Sequence, residues 1–524
     1  MRLLLACVLA LLLLAPARAR ADELAPLVTE DRAAAATAID KIAARRDAAS
    51  LKVLEALQSG TLRVDAQGHG YAAEDGKLRA LSPGAPAQPS PPLKTPLVDN
   101  RLRRALDTAV AGLKLSSPER EVRLAAAREL SKGRNDELAP LVRQALSRET
   151  DEDVRERLAV ALAHIDLASD DPKRRITALQ AVEAARDPAF KPELERLAGA
   201  EKDEAVRRAA SSALAAIKVR VFWFGLIGHL FYGVSLGSVL LLAALGLAIT
   251  FGLMRVINMA HGELLMIGAY STFVVQNLFA AHAPAYLDFY LVLAVPVAFV
   301  VSAAVGVALE ATVLRRLYGR PLETLLATWG ISLILIQTVR LIFGAQNVTV
   351  ANPSWLSGGV ELLPDFVLTY SRLAVIAFSA LVIAFVWLML QKSSLGLRVR
   401  AVTQNRDMAA SMGISTRRVD MWTFGIGSGV AGLGGVALSQ LGNVGPELGQ
   451  AYIVDSFMVV VLGGVGKLAG TLAGALGLGI VNKLLEPAAG AVLGKIAILI
   501  FLILFIQRRP QGIFALKGRA AEVS

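Results

Sequence analysis

The 524-residue sequence contains a single cysteine, Cys7, which lies within the first 21 residues. The rest of the chain therefore has no disulfide, no cysteine metal cluster and no cysteine nucleophile. Its five histidines are scattered and show no HExxH or similar ligand spacing. We expect no metal site, no cofactor and no enzyme active site.

A strong basic patch with interleaved aromatic residues is also absent. The net charge is +11, yet residues 22–218 carry equal numbers of basic and acidic residues. The surplus is divided between the first 21 residues and the segment from Val219 onward, where basic residues flank apolar runs. Nucleic acid is therefore not an expected partner.

Nucleotide-binding motifs are missing as well. The segment GGVGKLAGT at Gly463–Thr471 resembles a phosphate-binding loop, but GxxxxGK[ST] would need glycine in place of Val461 and serine or threonine in place of Leu468. If the protein depends on ATP, a separate polypeptide must hydrolyse it.

The sequence is rich in long apolar runs. Hydrophobic residues make up 54% of the chain and the mean hydropathy is +0.52, which indicates an integral membrane protein. We predict an all-α fold in which residues 219–524 form a polytopic transmembrane domain. The predicted spans are 226–252, 262–281, 289–314, 323–343, 372–390, 421–441, 453–466, 468–485 and 490–507.

The first 218 residues have a different composition. Residues 1–21 combine Arg2, an apolar run and small residues at Ala19 and Ala21, the pattern of a cleaved secretory signal peptide. Residues 22–80 predict alanine-rich helices and a short hairpin at 61–72. Residues 81–96 contain six prolines and predict a linker.

Residues 97–218 predict an exported domain of irregular, HEAT-like helical repeats. The apolar anchors Val122, Val154, Ile176 and Val206 are 32, 22 and 30 residues apart, and capping residues precede each predicted helix. Such an array binds a partner or forms a passive folded cap, and the sequence leaves both interpretations open.

Topology follows from the exported N-terminus and the positive charges. Nine crossings, or seven with a re-entrant pair around the glycine-interrupted span 453–466, place the C-terminus in the cytoplasm. On that count the basic residues fall on the cytoplasmic side, as expected. These residues are Arg315, Arg316, Arg320, Lys392 to Arg418, Arg508, Arg509, Lys517 and Arg519. Glycines throughout 425–435 and 463–479 predict close helix packing.

Two polar interruptions of the apolar pattern are candidate functional sites. Gly396–Ser415 predicts a basic helix over 397–412 with Leu397, Ala401, Met408 and Met412 on one face and a stop at Gly413. It suits docking to a soluble partner, or it is a solvated loop that sets topology. Asn258, His261 and Glu263 begin the second span, and they either line or gate a path or form a hydrogen-bonded knot.

Three motifs resemble one family when taken in order: RVINMAHGELLMIGAY, GLRVRAVTQNRDMAASMGI and VVLGGVGKLAGTLAGALGLG. They are similar to the signature, the cytoplasmic coupling loop and the glycine-rich closing region of LivH-type permeases of branched-chain amino-acid ABC importers. The resemblance covers roughly residues 224–517. The exported N-terminal extension is similar to the urea-transporting UrtB branch, which makes urea the favoured solute.

The resemblance implies a multi-pass subunit of an importer in the bacterial inner membrane. Its partners would be a LivM/UrtC-like second permease, two cytoplasmic ATP-binding subunits and an extracytoplasmic solute-binding protein. It assigns the ATPase-coupling contacts to Arg398, Ala401, Asn405, Ala409 and Gly413. Asn258, His261 and Glu263 would line or gate the translocation path. Alternatives are transport of branched-chain or other amino acids, a passive small-solute channel, and a membrane-tethered scaffold.

Overall fold

The computed structural model describes residues 24–29, 31–45, 47–74, 77–81, 86, 89–254, 256–363 and 366–514. The predicted signal peptide, parts of the proline-rich linker, and the basic residues Lys517 and Arg519 lie outside the described residues. The chain divides into two compact units, Met1–Val221 and Phe222–Ser524.

The first unit begins with the predicted alanine-rich helices. They are α1 (Arg32–Ala44) and α2 (Ala48–Gln58). Asp31 and Asp47 cap them by accepting hydrogen bonds from backbone amides of the first turn. Ile39, Leu54 and Leu106 are buried in the core that these helices share with helix α3 (Asn100–Leu115).

A three-stranded antiparallel sheet follows α2. Its strands are β1 (Leu62–Val64), β2 (Gly70–Glu74) and β3 (Lys77–Ala80), in the order β1-β2-β3. The predicted hairpin is confirmed by the pairing of Leu62 with Ala72, and β3 extends it. The all-α prediction is wrong here. In addition, the predicted linker is not wholly free, because Lys94 pairs with Val64 through two backbone hydrogen bonds of 2.9 Å.

Helices then succeed one another up to the end of this unit. After α3 come α4 (Arg120–Leu130), α5 (Ala139–Arg148), α6 (Glu152–Asp166), α7 (Pro172–Ala185), α8 (Lys191–Ala200) and the beginning of α9 (Glu204–Met254). One buried cluster joins α3 to α6, and another joins α6 to α9. Helix α6 therefore contributes to both clusters.

These helices repeat with a period of 52 residues rather than irregularly. Helices α3, α4 and α5 form one triplet and α6, α7 and α8 the next, each with a short 3-10 turn before its third helix. The spacing of the predicted anchors is irregular because Val122 lies on α4, the second helix of its triplet, whereas Val154 lies on α6, the first helix of the next triplet. Val154 and Val206, 52 residues apart, occupy equivalent places. The assignment to the HEAT type stays a prediction.

An arginine–glutamate pair marks the same place in both triplets. Arg123 bonds Glu149 at 2.8 Å, and Arg175 bonds Glu201 at 2.5 Å. Each glutamate also accepts hydrogen bonds from the next two backbone amides. Glu149 and Glu201 thus hold the loops that precede α6 and α9, respectively. In the first of these loops, Asp151 caps α6.

The second unit contains the long apolar helices together with two short polar ones. They are α9, α10 (His261–His282), α11 (Tyr290–Thr312), α12 (Pro321–Phe343), α13 (Tyr370–Lys392), α14 (Ser394–Gln404), α15 (Arg406–Ser411), α16 (Thr416–Ser439), α17 (Leu448–Gly463) and α18 (Leu468–Arg508). Of the described helices, seven are long and apolar enough to cross a membrane. A hairpin of β4 (Gly359–Leu363) and β5 (Phe366–Thr369), absent from the all-α prediction, precedes α13.

Two helices form the centre of this unit. The apolar windows of α9 and α16 are both 83% buried, whereas those of α11, α12, α13 and α18 are at most 22% buried. Glycine permits this crowding. A Cβ on Gly435 would collide with the Leu265 carbonyl and lie 2.7 Å from the Ala269 amide, and a Cβ on Gly268 would collide with Gly432. The predicted close packing is confirmed.

The last two predicted spans are joined in α18, which reverses at Gly490. That residue has φ 77°, a conformation that favours glycine. A Cβ on Gly494 would be only 3.7 Å from Leu485, although nine residues of straight helix rise about 13.5 Å. The arms 468–489 and 491–508 are therefore separate packed segments. Helix α17, with 16 residues, is about 24 Å long, shorter than the hydrocarbon core of about 30 Å.

Candidate functional site

The segment between α13 and α16, residues 393–415, is called the connector here. It begins with a sharp turn, because the Ser393 hydroxyl accepts a 3.1 Å hydrogen bond from the Gly396 amide and caps α14. A Cβ on Gly396 would collide with the Leu390 carbonyl, and Arg400 donates to the same carbonyl. Glycine and arginine together fold α14 back onto the end of α13.

The connector contains two short helices instead of the single helix predicted over 397–412. Asn405 separates them with extended backbone (φ −154°), and its side chain accepts a 2.9 Å hydrogen bond from the Met408 amide. Asparagine competes well for this capping role, which explains the break. Gly413, at φ 84°, ends α15, so the predicted stop is confirmed.

The side chains predicted to share one face of the connector differ in exposure. Leu397, Met408 and Met412 are 63%, 61% and 77% exposed, whereas Ala401 is half-buried. The small core of the connector consists of Val399, Val402, Ala409 and Val419. The connector therefore exposes three large apolar side chains among basic residues, and exposed apolar side chains are typical of a protein contact.

The five residues assigned to coupling therefore differ in position. Arg398 is exposed and can reach a partner. Asn405 and Gly413 are also exposed, but their observed contacts shape the connector through the cap and the stop. Ala401 is half-buried and Ala409 is 5% exposed within the small core. Their assignment as coupling contacts stays a prediction.

Sequence reasoning missed a charged network that ties the connector to two long helices. Arg406, the first residue of α15, forms an ion pair with Asp420 of α16. Its guanidinium also lies 5.4 Å from the centre of the Tyr318 ring. The Tyr318 hydroxyl donates to Glu310 of α11 at 3.2 Å, and Arg315 pairs with Glu310 at 2.8 Å. These five residues are called the Arg406 network.

The network satisfies two buried carboxylates at the ends of long helices. The Asp420 side chain is 3% exposed and that of Glu310 is 0% exposed. The hydrogen bond to Asp420 raises the pKa of Arg406. Burial, together with the negative charges of Asp420 and Glu310, raises the pKa of Tyr318, which therefore stays protonated and donates. An acidic residue inside an apolar run, such as Glu310, was the available sequence signal.

The second predicted site, Asn258, His261 and Glu263, lies in the interior of the unit. Their exposures are 2%, 0% and 1%. The His261 ring bonds the Ala243 carbonyl at 2.9 Å, and the Ser332 hydroxyl donates to Glu263 at 2.7 Å. These bonds join the start of α10 to α9 and to the middle of α12.

Each of these three side chains also keeps one buried polar atom that has no hydrogen-bond partner within the described part of the chain. The atoms are Asn258 Nδ2, His261 Nδ1 and Glu263 Oε2. A buried polar group without a partner costs about 1–3 kcal/mol. Three such groups would destabilise a cluster whose role was only structural. Their role in lining or gating a path stays a prediction.

These features define a class of protein: a polytopic helical membrane protein with a structured basic connector between two of its long helices. The family model described as "Branched-chain amino acid transport system / permease component" matches residues 229–506. The chain belongs to this family, whose members are transport subunits and not enzymes. The family match confirms the resemblance to LivH-type permeases, and the finer resemblance to the UrtB branch stays a prediction.

Named relatives agree with the family. The chain is 31% identical over 294 residues to the high-affinity branched-chain amino acid transport system permease protein LivH of Escherichia coli K12, covering 54% of this chain and 94% of the relative. It is 29% identical over 287 residues to BraD of Pseudomonas aeruginosa, covering 54% and 93%. A probable LivH of Methanocaldococcus jannaschii is 28% identical, covering 53% and 88%. No solved structure matches significantly.

Proposed function

We propose that this chain is a membrane-spanning subunit of an ATP-driven importer of branched-chain amino acids, and that the connector receives the motion generated by ATP hydrolysis. Family membership supports the transport role. The single observation that carries the coupling role is the exposure of Leu397, Met408 and Met412 on a connector that the Arg406 network ties to α11 and α16.

The proposed assembly contains a second permease of LivM/UrtC type, two ATP-binding subunits and a solute-binding protein. Partner ATPases are needed because the sequence has no phosphate-binding motif of its own. In the proposed orientation the connector faces the cytoplasm and residues 22–218 face the periplasm. The basic residues of the connector favour this orientation.

Branched-chain amino acids replace urea as the favoured solute. The urea expectation depended on the N-terminal extension, whereas the family match begins at residue 229 and takes no account of it. The matched relatives are named for branched-chain amino acid transport. Urea stays the second candidate, on the strength of the folded helical array before residue 221.

Uptake into proteoliposomes that contain the complete complex tests this proposal. With ATP inside and loaded binding protein outside, labelled leucine should accumulate, and excess isoleucine or valine, but not urea, should compete. ATP depletion should stop the uptake, whereas a passive channel would continue to conduct. Uptake of urea but not of leucine would refute the proposed solute, and ATP-independent uptake would refute the proposed mechanism.

A further inference from the structure

A cleft of about 390 Å³ opens where α16 ends and α17 begins. One part of its lining is apolar, with Leu438, Leu441, Leu448 and Ala451, and the other part carries polar groups from Asn347, Asn443, Glu447 and Tyr452. The connector precedes α16, so the cleft lies at the opposite end of this helix, which spans about 36 Å. Neither predicted site includes it.

The polar part of the cleft has a fixed backbone. Val348 and Val444 exchange backbone hydrogen bonds of 2.8 and 2.9 Å, which join the loop after α12 to the loop after α16. Val444 is fully buried. The Asn347 side chain lies directly against Gly445, where a Cβ would displace it. The side-chain amides are therefore held by ordered segments.

A pair of opposite charges lies at this cleft. Glu447, which lines it, forms an ion pair with Arg340 near the end of α12. The Glu447 side chain is 68% exposed, so its carboxylate can accept further hydrogen bonds. The Arg340 Nε atom is buried and has no hydrogen-bond partner among the described residues. Glu447 thus presents a free acceptor to the cleft, and the partly exposed guanidinium of Arg340 adjoins the lining without belonging to it.

We propose that this cleft is a binding site for an amino-acid zwitterion with an aliphatic side chain. The inference rests on the proposed function and locates its solute. Glu447 binds the α-ammonium group, Arg340 binds the α-carboxylate, and Leu438, Leu441 and Leu448 cover the aliphatic side chain. Urea has neither charge nor aliphatic surface and gains little from such a lining.

The chemistry of the cleft selects this ligand over others. A purely cationic or anionic solute would leave one member of the Glu447–Arg340 pair facing a like charge, which is unfavourable. A small neutral amide would leave the leucine side chains uncovered. A dipolar head with an apolar tail matches both parts of the lining at once.

Protection of an introduced cysteine tests the site in the complete complex. In a Cys7→Ser background the chain has no other cysteine. Ala451→Cys, inside the cleft, is treated with a water-soluble methanethiosulfonate reagent, with and without leucine-loaded binding protein. Ser357→Cys, an exposed position in the loop after α12 and outside the cleft, is the matched control.

Leucine-loaded binding protein should slow labelling of Ala451→Cys and leave Ser357→Cys unchanged. Adding Glu447→Gln should remove the protection and lower the maximal rate of leucine uptake about tenfold. Glu323→Gln, which removes another exposed carboxylate, paired with Arg320, should do neither. Protection that persists in Glu447→Gln, or labelling of Ala451→Cys that leucine does not alter, overturns the site. If the unmodified complex takes up no leucine, the proposed function fails instead.

Discussion

Replacing Arg406 by alanine is expected to lower coupled uptake about tenfold or more while the subunit still inserts and assembles. The substitution removes the ion pair to Asp420 and the contact with the Tyr318 ring. Asp420 is 3% exposed, and a buried carboxylate left without its partner costs about 1–3 kcal/mol. Because each 1.4 kcal/mol is tenfold, we expect uptake to fall at least about tenfold.

The Arg406→Ala complex should lose the coupling between ATP hydrolysis and uptake. Helices α11 and α16 keep their own packing, so ATP hydrolysis by the complex should continue but no longer respond to loaded binding protein. Arg417→Ala removes an exposed positive charge from the adjoining first turn of α16 and is the matched control for effects on topology. Arg406→Lys retains the charge but loses the planar guanidinium, so it should restore uptake only in part.

Parallel measurements of uptake and ATP hydrolysis in proteoliposomes check this expectation. Stimulated hydrolysis together with normal uptake in Arg406→Ala would show that the network has no coupling role. A subunit that is missing from the membrane would show that the network is needed for folding instead.

Replacing Gly435 by alanine is expected to destabilise the folded subunit strongly. The new methyl group would meet the backbone of Leu265 and Ala269 in α10, and a backbone cannot rotate aside as a side chain can. Overpacking a close-packed core costs about 1–3 kcal/mol, and a clash with backbone in one of the two most buried membrane-length helices places this change at the upper end.

Gly477→Ala is the control for Gly435→Ala. A Cβ there meets nothing within 4 Å, and alanine favours a helix over glycine by about 1 kcal/mol. Thermal unfolding of the detergent-solubilised subunit, followed by size-exclusion chromatography, should give a lower midpoint or an aggregate for Gly435→Ala. Gly477→Ala should be unchanged or slightly more stable. An equally stable Gly435→Ala subunit would contradict the packing described here.

Much of the membrane unit could be predicted because its signal is long and simple. The apolar runs located the helices, and the glycines in 425–435 predicted the close helix packing that is observed at Gly435. Reversal at Gly490 within one long helical stretch was harder, since glycine alone does not say whether the chain bends or continues. The hairpin of β4 and β5 was missed because short strands between spans carry little periodic signal.

The position of the connector could be predicted from the sequence, but the contacts of its residues could not. Its basic, polar composition stood out from the apolar runs, but the predicted single helix over 397–412 took no account of the cap at Asn405. That cap divides the segment into two short helices, and no local pattern indicates that Ala409 is buried while Met408 and Met412 are exposed. Long-range pairs such as Arg406 with Asp420 depend on how the turn folds back, which no local pattern records.

The most direct test of the central claim is crosslinking from the exposed end of the connector. Met412→Cys in the Cys7→Ser background carries a short photoactivatable crosslinker, and the complete complex is isolated from native membranes. We predict that this residue crosslinks to an ATP-binding subunit and that the crosslinking yield changes when nucleotide is added. Labelling of the same cysteine by an impermeant reagent added outside intact cells would contradict it.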